Sequence, residues 1–238
     1  MKFFDWIRQR KNRKLYHENP ESENLVFVNE TPEMKEAFRN LRVSLSVFLA
    51  KNEEKSASIL CSSSYPKEGK TSTAINLAVS FTSHRKKVLL VDADLRKGSS
   101  TNHLGLKGKA GLCDLLSGNA NLDDVLYQMK GLNCFVLPCG SATERPYELL
   151  ATPEMKKLTS ELKERFDYVV YDTPPLRVVS DAYAIAPLVD GVAFVCKHRT
   201  SHEEDIRKSL SSLRYFKANI LGIVVSDFKN DKRSRHGL

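Results

Sequence analysis

Short apolar runs rich in β-branched residues alternate with stretches of helical periodicity from residue 58 onward. Such runs are typical of strands that are buried on both faces of a parallel sheet. Six runs fit this description, at residues 58–61, 88–91, 134–137, 168–171, 192–195 and 221–225. The pattern predicts an α/β fold with a doubly wound, mostly parallel sheet and helices on both faces. Ligands of such sheets bind beyond the carboxyl ends of the strands, so the residues that follow each run are candidates for function.

A helix is predicted ahead of the sheet. Thr31, Pro32 and Glu33 supply a capping hydroxyl, a proline at the first helical position and an early acid. Apolar residues then recur at steps of three and four, at Met34, Phe38, Leu41, Leu45 and Phe48. A second face carries Glu36, Arg39 and Arg42. By itself, this charged face is expected to be a solvated surface with one internal ion pair.

A phosphate-binding loop is predicted between the first strand of the sheet and the next helix. Residues 62–71 read Ser-Ser-Ser-Tyr-Pro-Lys-Glu-Gly-Lys-Thr and precede an apolar helical stretch. The backbone N–H groups of such a loop can surround phosphates, Lys70 can reach the β and γ oxygens, and Thr71 can ligate magnesium. The pattern GxxxxGK[ST] expects glycine at Ser64, so the match consists of Gly69, Lys70, Thr71 and their context.

Acidic residues follow two further strands. The second run leads into Asp92 and Asp94, with Arg96 close behind, and the fourth leads into Asp172. Magnesium takes hard oxygen ligands, and an aspartate at the end of a strand commonly holds it, directly or through water. The loop and the two acidic segments therefore predict a binding site for ATP and Mg²⁺ at one edge of the sheet.

The positive charge of the chain is confined to its two ends. The formal charge is +8, but residues 1–14 carry six basic residues against one acid, and residues 229–238 carry four against one. The segment between them is formally neutral, so we expect no basic surface for nucleic acid. The opening Met-Lys-Phe-Phe-Asp-Trp-Ile, followed by basic residues, favours a weak contact of residues 1–14 with an anionic membrane.

The sequence contains no apolar run of the length needed to cross a bilayer and no pattern of a signal peptide. We therefore expect a cytoplasmic protein. Its five cysteines form no CxxC pair, and most lie in or beside apolar runs, so we expect them to be reduced core residues.

Taken together, these motifs resemble those of the bacterial tyrosine kinases of capsule and exopolysaccharide synthesis, in the form whose cytoplasmic kinase is separate from its membrane activator. That family has a loop like xxPGEGKT, then hhhhDxDxR, then hhhhDTPP, and residues 65–71, 88–96 and 168–175 are similar to these elements. The resemblance covers about residues 31–228, which we expect to form the kinase domain. A basic and polar extension, residues 1–30, precedes it, and a basic tail, residues 229–238, follows.

The resemblance implies transfer of the ATP γ-phosphoryl group to a protein tyrosine. Lys70 and magnesium would offset charge on the transferred group, and Thr71 and Asp172 would hold the metal. Asp92 or Asp94 would accept or orient the tyrosine proton, and we expect Asp92 to lie nearest the metal with Asp94 as its support. The loop residues implied in ATP binding are Pro66, Lys67, Glu68, Gly69, Lys70, Thr71 and Ser72.

The resemblance also implies partners. The family has a Glu-x-x-Arg-x-x-Arg element that makes contacts between the subunits of a ring, and Glu36, Arg39 and Arg42 match it. The expected partners are a membrane-bound polysaccharide co-polymerase that activates the kinase at the inner face of the cell membrane, and protein tyrosine substrates.

Three positions depart from the family pattern. Lys67 replaces a glycine, Ser226 stands where an asparagine usually lies beside the adenine, and the last tyrosine is Tyr215, so the usual C-terminal tyrosine cluster is missing. Two other functions therefore stay open. One is an ATP-dependent scaffold of the same assembly that does not catalyse transfer. The other is a partition-type ATPase, although that class places a lysine where this chain has Tyr65.

Overall fold

The carboxyl ends of the three strands predicted to carry the site lie side by side in one sheet of eight strands. The sheet order is β1-β4-β5-β3-β6-β2-β7-β8. β4 and β5 pair antiparallel, and the other neighbouring strands of the described sheet pair parallel. The strands are β1 His17–Asn19, β2 Ala57–Ser63, β3 Val88–Asp92, β4 Tyr127–Met129, β5 Cys134–Leu137, β6 Tyr168–Asp172, β7 Gly191–Lys197 and β8 Ile220–Ser226. Since β3, β6 and β2 are neighbours, Asp92, Asp172 and the loop after Ser63 meet at one edge.

This computed structural model describes residues 17–19, 31–49 and 56–227. The expected membrane contact of residues 1–14 and the basic tail of residues 229–238 lie outside these ranges. Within them, no helix combines the length and the apolar character needed to cross a membrane.

Helices cover both faces of the sheet, as a doubly wound fold requires. Among the described residues they are α1 Pro32–Leu49, α2 Lys70–Phe81, α3 Ser99–His103, α4 Leu112–Leu116, α5 Pro146–Leu150, α6 Pro153–Arg165, α7 Asp181–Ile185 and α8 Glu203–Tyr215. Alternate strand residues enter two separate cores. Leu89 and Val91 of β3 pack with α4 to α8 on one face, whereas Val88 and Leu90 pack with α1 and α2 on the other. The predicted fold class is thereby confirmed.

The six predicted strands are all present, but two short strands were not predicted. β1 and β4 contain three residues each. A segment of that length is too short to show the alternation or the β-branched enrichment on which a strand prediction depends. β4 pairs antiparallel with β5 and parallel with β1 at the outer edge of the sheet, away from the strands that carry the candidate site.

Helix α1 forms where predicted, but its expected apolar face is only partly buried. Leu45 is buried against α2 and the sheet, as is Leu49, which the expected face did not include. Met34 and Phe48, which it did include, are 41% and 50% exposed. Full burial on α1 is thus confined to Leu45 and Leu49, one helical turn apart.

The cysteines fit the prediction. All five are free, and four of them are buried. Cys139 is half-buried at the end of β5.

Candidate nucleotide site

The loop between β2 and α2 has the backbone shape of an anion-binding turn. Gly69 adopts a left-handed conformation with φ of 91°, and α2 begins directly after it at Lys70. No side chain caps the N-terminus of α2, so its first N–H groups are available to an anion. A Cβ at position 69 would lie 2.9 Å from Ser226 Oγ, which is a second reason for glycine at this position.

Ser64 explains how the loop tolerates the loss of its first glycine. Its side chain turns away from the loop and is 1% exposed. Its hydroxyl lies 2.9 Å from Ser209 Oγ and donates to the carbonyl O of Asp205 at 3.2 Å, both in α8. Ser64 is not among the residues with positive φ. A side chain at this position therefore packs outward against α8 and does not enter the space inside the loop.

Glu68 holds the loop to the end of the sheet. Its buried carboxylate accepts a hydrogen bond from the backbone N–H of Tyr65 at 2.7 Å and another from the hydroxyl of Ser201. Its carbonyl O accepts a bond of 2.7 Å from the hydroxyl of Ser226 in β8. Glu68, predicted to contact ATP, thus uses its side chain inside the protein. Ser226, expected beside the adenine, uses its hydroxyl on the loop.

Lys70 and Thr71 lie against the acids of the neighbouring strands. Lys70 Nζ lies 3.1 Å from Thr71 Oγ1, 3.8 Å from Asp94 Oδ2 and 3.8 Å from Asp172 Oδ1. Thr71 Oγ1 donates to Asp172 Oδ1 at 3.3 Å. An ammonium group, a hydroxyl and aspartyl oxygens from three separate segments thus meet at one point, as the sequence predicted.

Asp92 and Asp172 sit opposite each other in register on β3 and β6, and both are fully buried. Burial and the nearby charge of Asp172 raise the pKa of Asp92 to about 7. Burial also raises the pKa of Asp172, although Lys70 acts in the opposite direction. Asp94, 1% exposed, adds a third carboxyl group. Asp94 and Asp172 each lie 3.8 Å from the ammonium group of Lys70, and a cation bound here would further relieve the repulsion between the acids.

Asp92 and Asp94 are both buried and both held by hydrogen bonds within the chain. Asp92 Oδ1 accepts from the backbone N–H of Asp94 at 3.1 Å, and Asp92 Oδ2 accepts from both the N–H and the hydroxyl of Thr101 at 2.7 Å. Asp94 accepts from the backbone N–H of Lys97 at 3.1 Å and from the hydroxyl of Ser99 at 3.3 Å. Asp94 and Asp172 are the acids beside Lys70, and the position of Asp92 nearest the metal stays a prediction.

An ion pair fixes the segment that follows β3. Arg96 donates two hydrogen bonds, of 2.7 and 3.0 Å, to the carboxylate of Asp181 at the start of α7. Asp181 is fully buried. A bidentate pair of this kind sets both distance and orientation. The pair connects the segment after β3 to the segment after β6, so Asp92 and Asp94 keep their positions relative to Asp172.

The donor set fits a magnesium nucleotide. Among the described residues, no three His, Cys, Asp or Glu side chains form a metal-binding group. Magnesium sites often lack such a cage, because the ion keeps waters and binds one or two carboxylates together with substrate phosphates. The hydroxyl of Thr71 and the carboxylate of Asp172 lie 3.3 Å apart beside the uncapped start of α2. Hard oxygen ligands and a phosphate-binding turn therefore share one site.

The three residues of the charged element on α1 lie outside this site and differ in their surroundings. Glu36 and Arg39 form an exposed ion pair of 3.7 Å. Arg42 instead donates to the carbonyl O of Ser80 at 2.8 Å, near the C-terminal end of α2. Arg42 therefore docks α1 within the chain, while Glu36 and Arg39 face outward.

Sequence reasoning missed Ser99, Ser100 and Thr101, which begin α3 and contact the acids of the site. The available signal was their row of hydroxyls directly after the acidic segment.

Comparison with known proteins identifies similar sequences. Residues 67–189 match the protein family described as an AAA domain. Over 202 residues the chain is 32% identical to the tyrosine-protein kinase YwqD of Bacillus subtilis, a match that covers 85% of this chain and 84% of YwqD. It is also 32% identical to the succinoglycan biosynthesis transport protein ExoP of Rhizobium meliloti. That match covers 84% of this chain but 27% of ExoP, so the chain is similar to one part of a much longer protein.

Solved structures give the same grouping. The kinase domain of the Escherichia coli tyrosine kinase ETK superposes with a TM-score of 0.76 at 27% identity, covering 95% of this chain and 89% of that one. The septum site-determining protein MinD of Pyrococcus horikoshii, solved with Mg-ADP, superposes with a TM-score of 0.61 at 26% identity and covers 71% and 70%. The fold is therefore more similar to the kinase domain than to this ATPase.

Proposed function

This chain belongs to the bacterial tyrosine-protein kinases of capsule and exopolysaccharide synthesis, and from that premise we propose how its site performs the transfer. The family resemblance predicted from the sequence is confirmed. The chain is an enzyme that transfers the γ-phosphoryl group of ATP to protein tyrosine. The observation that carries the proposed mechanism is the meeting of Lys70, Thr71 and Asp172 at the start of α2.

ATP and Mg²⁺ are the proposed substrate and cofactor. Magnesium, when bound with ATP, would supply positive charge beside the oxygens of the transferred group. The N–H groups at the start of α2 would bind phosphate oxygens, and Lys70 would neutralise charge on the terminal phosphate. Thr71 and Asp172 would hold the metal, because their oxygens already face each other.

The two acids after β3 are the proposed proton acceptors and orienting groups for the tyrosine. Both oxygens of each acid accept hydrogen bonds within the chain, so hydrogen bonding does not separate the two. Their positions differ, because Asp94 Oδ2 lies 3.8 Å from Lys70 Nζ, the group proposed to contact the terminal phosphate. A general base must lie within reach of the tyrosine hydroxyl. We therefore assign the role at the reacting groups to Asp94, and Asp92 keeps the place nearest the metal that the sequence predicts.

The proposed assembly is a ring of copies that a membrane-bound activator recruits to the inner face of the membrane. Support for the ring comes from α1, where Glu36 and Arg39 face outward beside exposed Val43 and Val47. Arg42 is half-buried and bonded to Ser80, so we assign the intersubunit contact to the outward residues and not to Arg42.

Phosphotyrosine formation tests the catalytic proposal against its alternatives. The purified chain is incubated with ATP labelled on the γ-phosphate, Mg²⁺ and a copolymer of glutamate and tyrosine, with and without a candidate activator in liposomes. A kinase labels the tyrosines. A partition-type ATPase releases labelled phosphate without labelling the copolymer, and a scaffold does neither.

A Lys70→Met variant, purified in the same way, tests whether the label depends on Lys70, and a mock purification without the chain measures contaminating kinases. Label on tyrosine that persists in this variant would reject Lys70 as a participant in the transfer. If the wild-type protein leaves the copolymer unlabelled in the presence of the activator, the kinase assignment for this chain is rejected.

A further inference from the structure

Two adjacent hydroxyl groups at the start of α3 contact the two buried acids that face each other across β3 and β6. The hydroxyl of Ser100 donates to Asp172 Oδ2 at 2.6 Å. The hydroxyl and the backbone N–H of Thr101 both donate to Asp92 Oδ2 at 2.7 Å. Ser100 is fully buried and Thr101 is 3% exposed, so solvent does not compete for these bonds.

The bond from Ser100 determines which oxygen of Asp172 faces the nucleotide site. A carboxylate turns as a unit about one bond, so fixing one oxygen fixes the position of the other. With Oδ2 bound by Ser100, Oδ1 points at Thr71 Oγ1, 3.3 Å away, and at Lys70 Nζ, 3.8 Å away. Asp172 thus presents one oxygen to the site while the other is held from behind.

The hydroxyl of Thr101 has a fixed direction as well. Thr101 Oγ1 accepts a hydrogen bond of 2.9 Å from the backbone N–H of Cys139 at the end of β5. Because that N–H occupies one lone pair, the hydroxyl hydrogen of Thr101 is directed at Asp92. Bonds therefore connect β5, α3 and β3 in one line that ends at the carboxylate of Asp92.

These contacts link acids that are far apart in the sequence. Ser100 and Asp172 are separated by 72 positions in the sequence, and Asp92 and Asp172 are register partners on adjacent strands. α3 lies across the ends of both strands and bonds each acid through a different residue. Loss of a group that orients a metal ligand from behind typically costs about 10- to 100-fold in metal affinity or activity.

We propose that Ser100 is a positioning residue of the phosphoryl transfer, whose hydroxyl holds Asp172 so that Oδ1 faces Thr71 and Lys70. Thr101 does the same for Asp92. The inference rests on the proposed function, in which Asp172 holds magnesium. A hydroxyl that only satisfied a buried acid would contribute to stability without affecting the metal.

The test compares two buried serines with the same chemistry. Ser58 is also fully buried, and its hydroxyl donates to Asp190 Oδ2 at 2.8 Å, at the opposite end of the sheet. Ser100→Ala and Ser58→Ala therefore each remove one hydroxyl from one carboxylate. The readouts are the Mg²⁺ concentration that half-saturates ADP binding in calorimetry, kcat and KM for ATP, and the melting temperature of each protein.

Both variants are expected to melt below the wild type. Ser100→Ala is expected to raise the half-saturating Mg²⁺ concentration about tenfold and to lower kcat by a similar factor. Ser58→Ala is expected to change neither by more than about twofold, because it acts only on stability. Ser100→Thr, which restores the hydroxyl, is expected to recover most of the Mg²⁺ affinity.

The proposal would be overturned if Ser100→Ala folds and needs the same Mg²⁺ concentration as the wild type to half-saturate ADP binding. If that variant does not fold, Ser100→Cys takes its place, because its side chain has a similar volume and a weaker donor. Its half-saturating Mg²⁺ concentration and its kcat are then compared with those of the wild type. The binding readout is independent of transfer. A wild-type chain that binds ADP with Mg²⁺ but forms no phosphotyrosine would reject the kinase function and still decide the role of Ser100.

Discussion

At the scale of single residues, Lys67 shows what the loss of a glycine means for the phosphate loop. Lys67 has φ of 67°, in the left-handed region that residues with a Cβ adopt at a cost of about 1–2 kcal/mol. The Lys67 side chain is exposed, so no buried contact offsets this cost. We predict that Lys67→Gly raises the free energy of unfolding by about 1 kcal/mol, measured by urea denaturation.

Lys67→Ala provides the matched control, since it removes the charge but keeps the Cβ in the left-handed conformation. It should give no gain in stability. An equal gain in both variants would mean that charge repulsion, and not backbone strain, is the cost of lysine at this position.

A site residue can be predicted from the sequence when the function requires one residue type at one position of a motif. Lys70 and Thr71 begin the helix that follows the loop after β2, Asp92 and Asp172 end β3 and β6, and the structure places all four together. Glu68 was predicted to contact ATP, but its carboxylate bonds to Ser201, 133 positions away. A contact of this kind depends on how two distant segments meet, and no local pattern encodes it.

At the scale of elements, the junction of α4 with β5 depends on a close approach of two backbones. Gly111 donates its N–H to Asp114 Oδ2 at 2.8 Å, and the next residue donates to the carbonyl O of Pro138. A Cβ on Gly111 would overlap that carbonyl and lie 2.7 Å from Gly140 N. Gly111→Ala is therefore predicted to destabilise the protein by about 3 kcal/mol in chemical denaturation.

Gly222→Ala serves as the comparison for this variant. Gly222 lies in β8, and nothing is within 4 Å of a Cβ built there. Its effect should stay within about 0.5 kcal/mol. Similar losses at both glycines would show that the approach at Gly111 is not a tight constraint.

The prediction of elements succeeded where a segment was long enough to show its period. α1 contains 18 residues and was predicted from its capping residues and its apolar steps. The pattern could not show which apolar side chains of the helix are buried, because Met34 and Phe48 have the same spacing as Leu45 but are exposed. β1 and β4, of three residues each, had no period to detect.

At the scale of the whole molecule, the outward face of α1 is the proposed contact between copies. Val43 and Val47 are 52% and 62% exposed on it. Val47→Asp would place a charge in a desolvated interface, and we predict that it reduces the assembly to single chains in sedimentation velocity. The melting temperature should change little, since the Val47 side chain is mostly exposed.

Arg42→Ala distinguishes this account from one in which the whole charged element forms the contact. Arg42 bonds to the carbonyl O of Ser80, so its loss should lower stability while the sedimentation coefficient of the folded fraction stays that of the wild type. Dissociation by Arg42→Ala with unchanged stability would contradict the assignment.

The central claim is that segments after β2, β3 and β6 form one site for a magnesium nucleotide, and calorimetric titration with ADP tests it most directly. The wild-type chain is predicted to bind one ADP at least about tenfold more tightly with Mg²⁺ than without it, because Thr71 and Asp172 share the metal with the phosphates. Asp172→Asn should abolish that difference. ADP binding that is independent of Mg²⁺, or a magnesium effect that survives Asp172→Asn, would contradict the account.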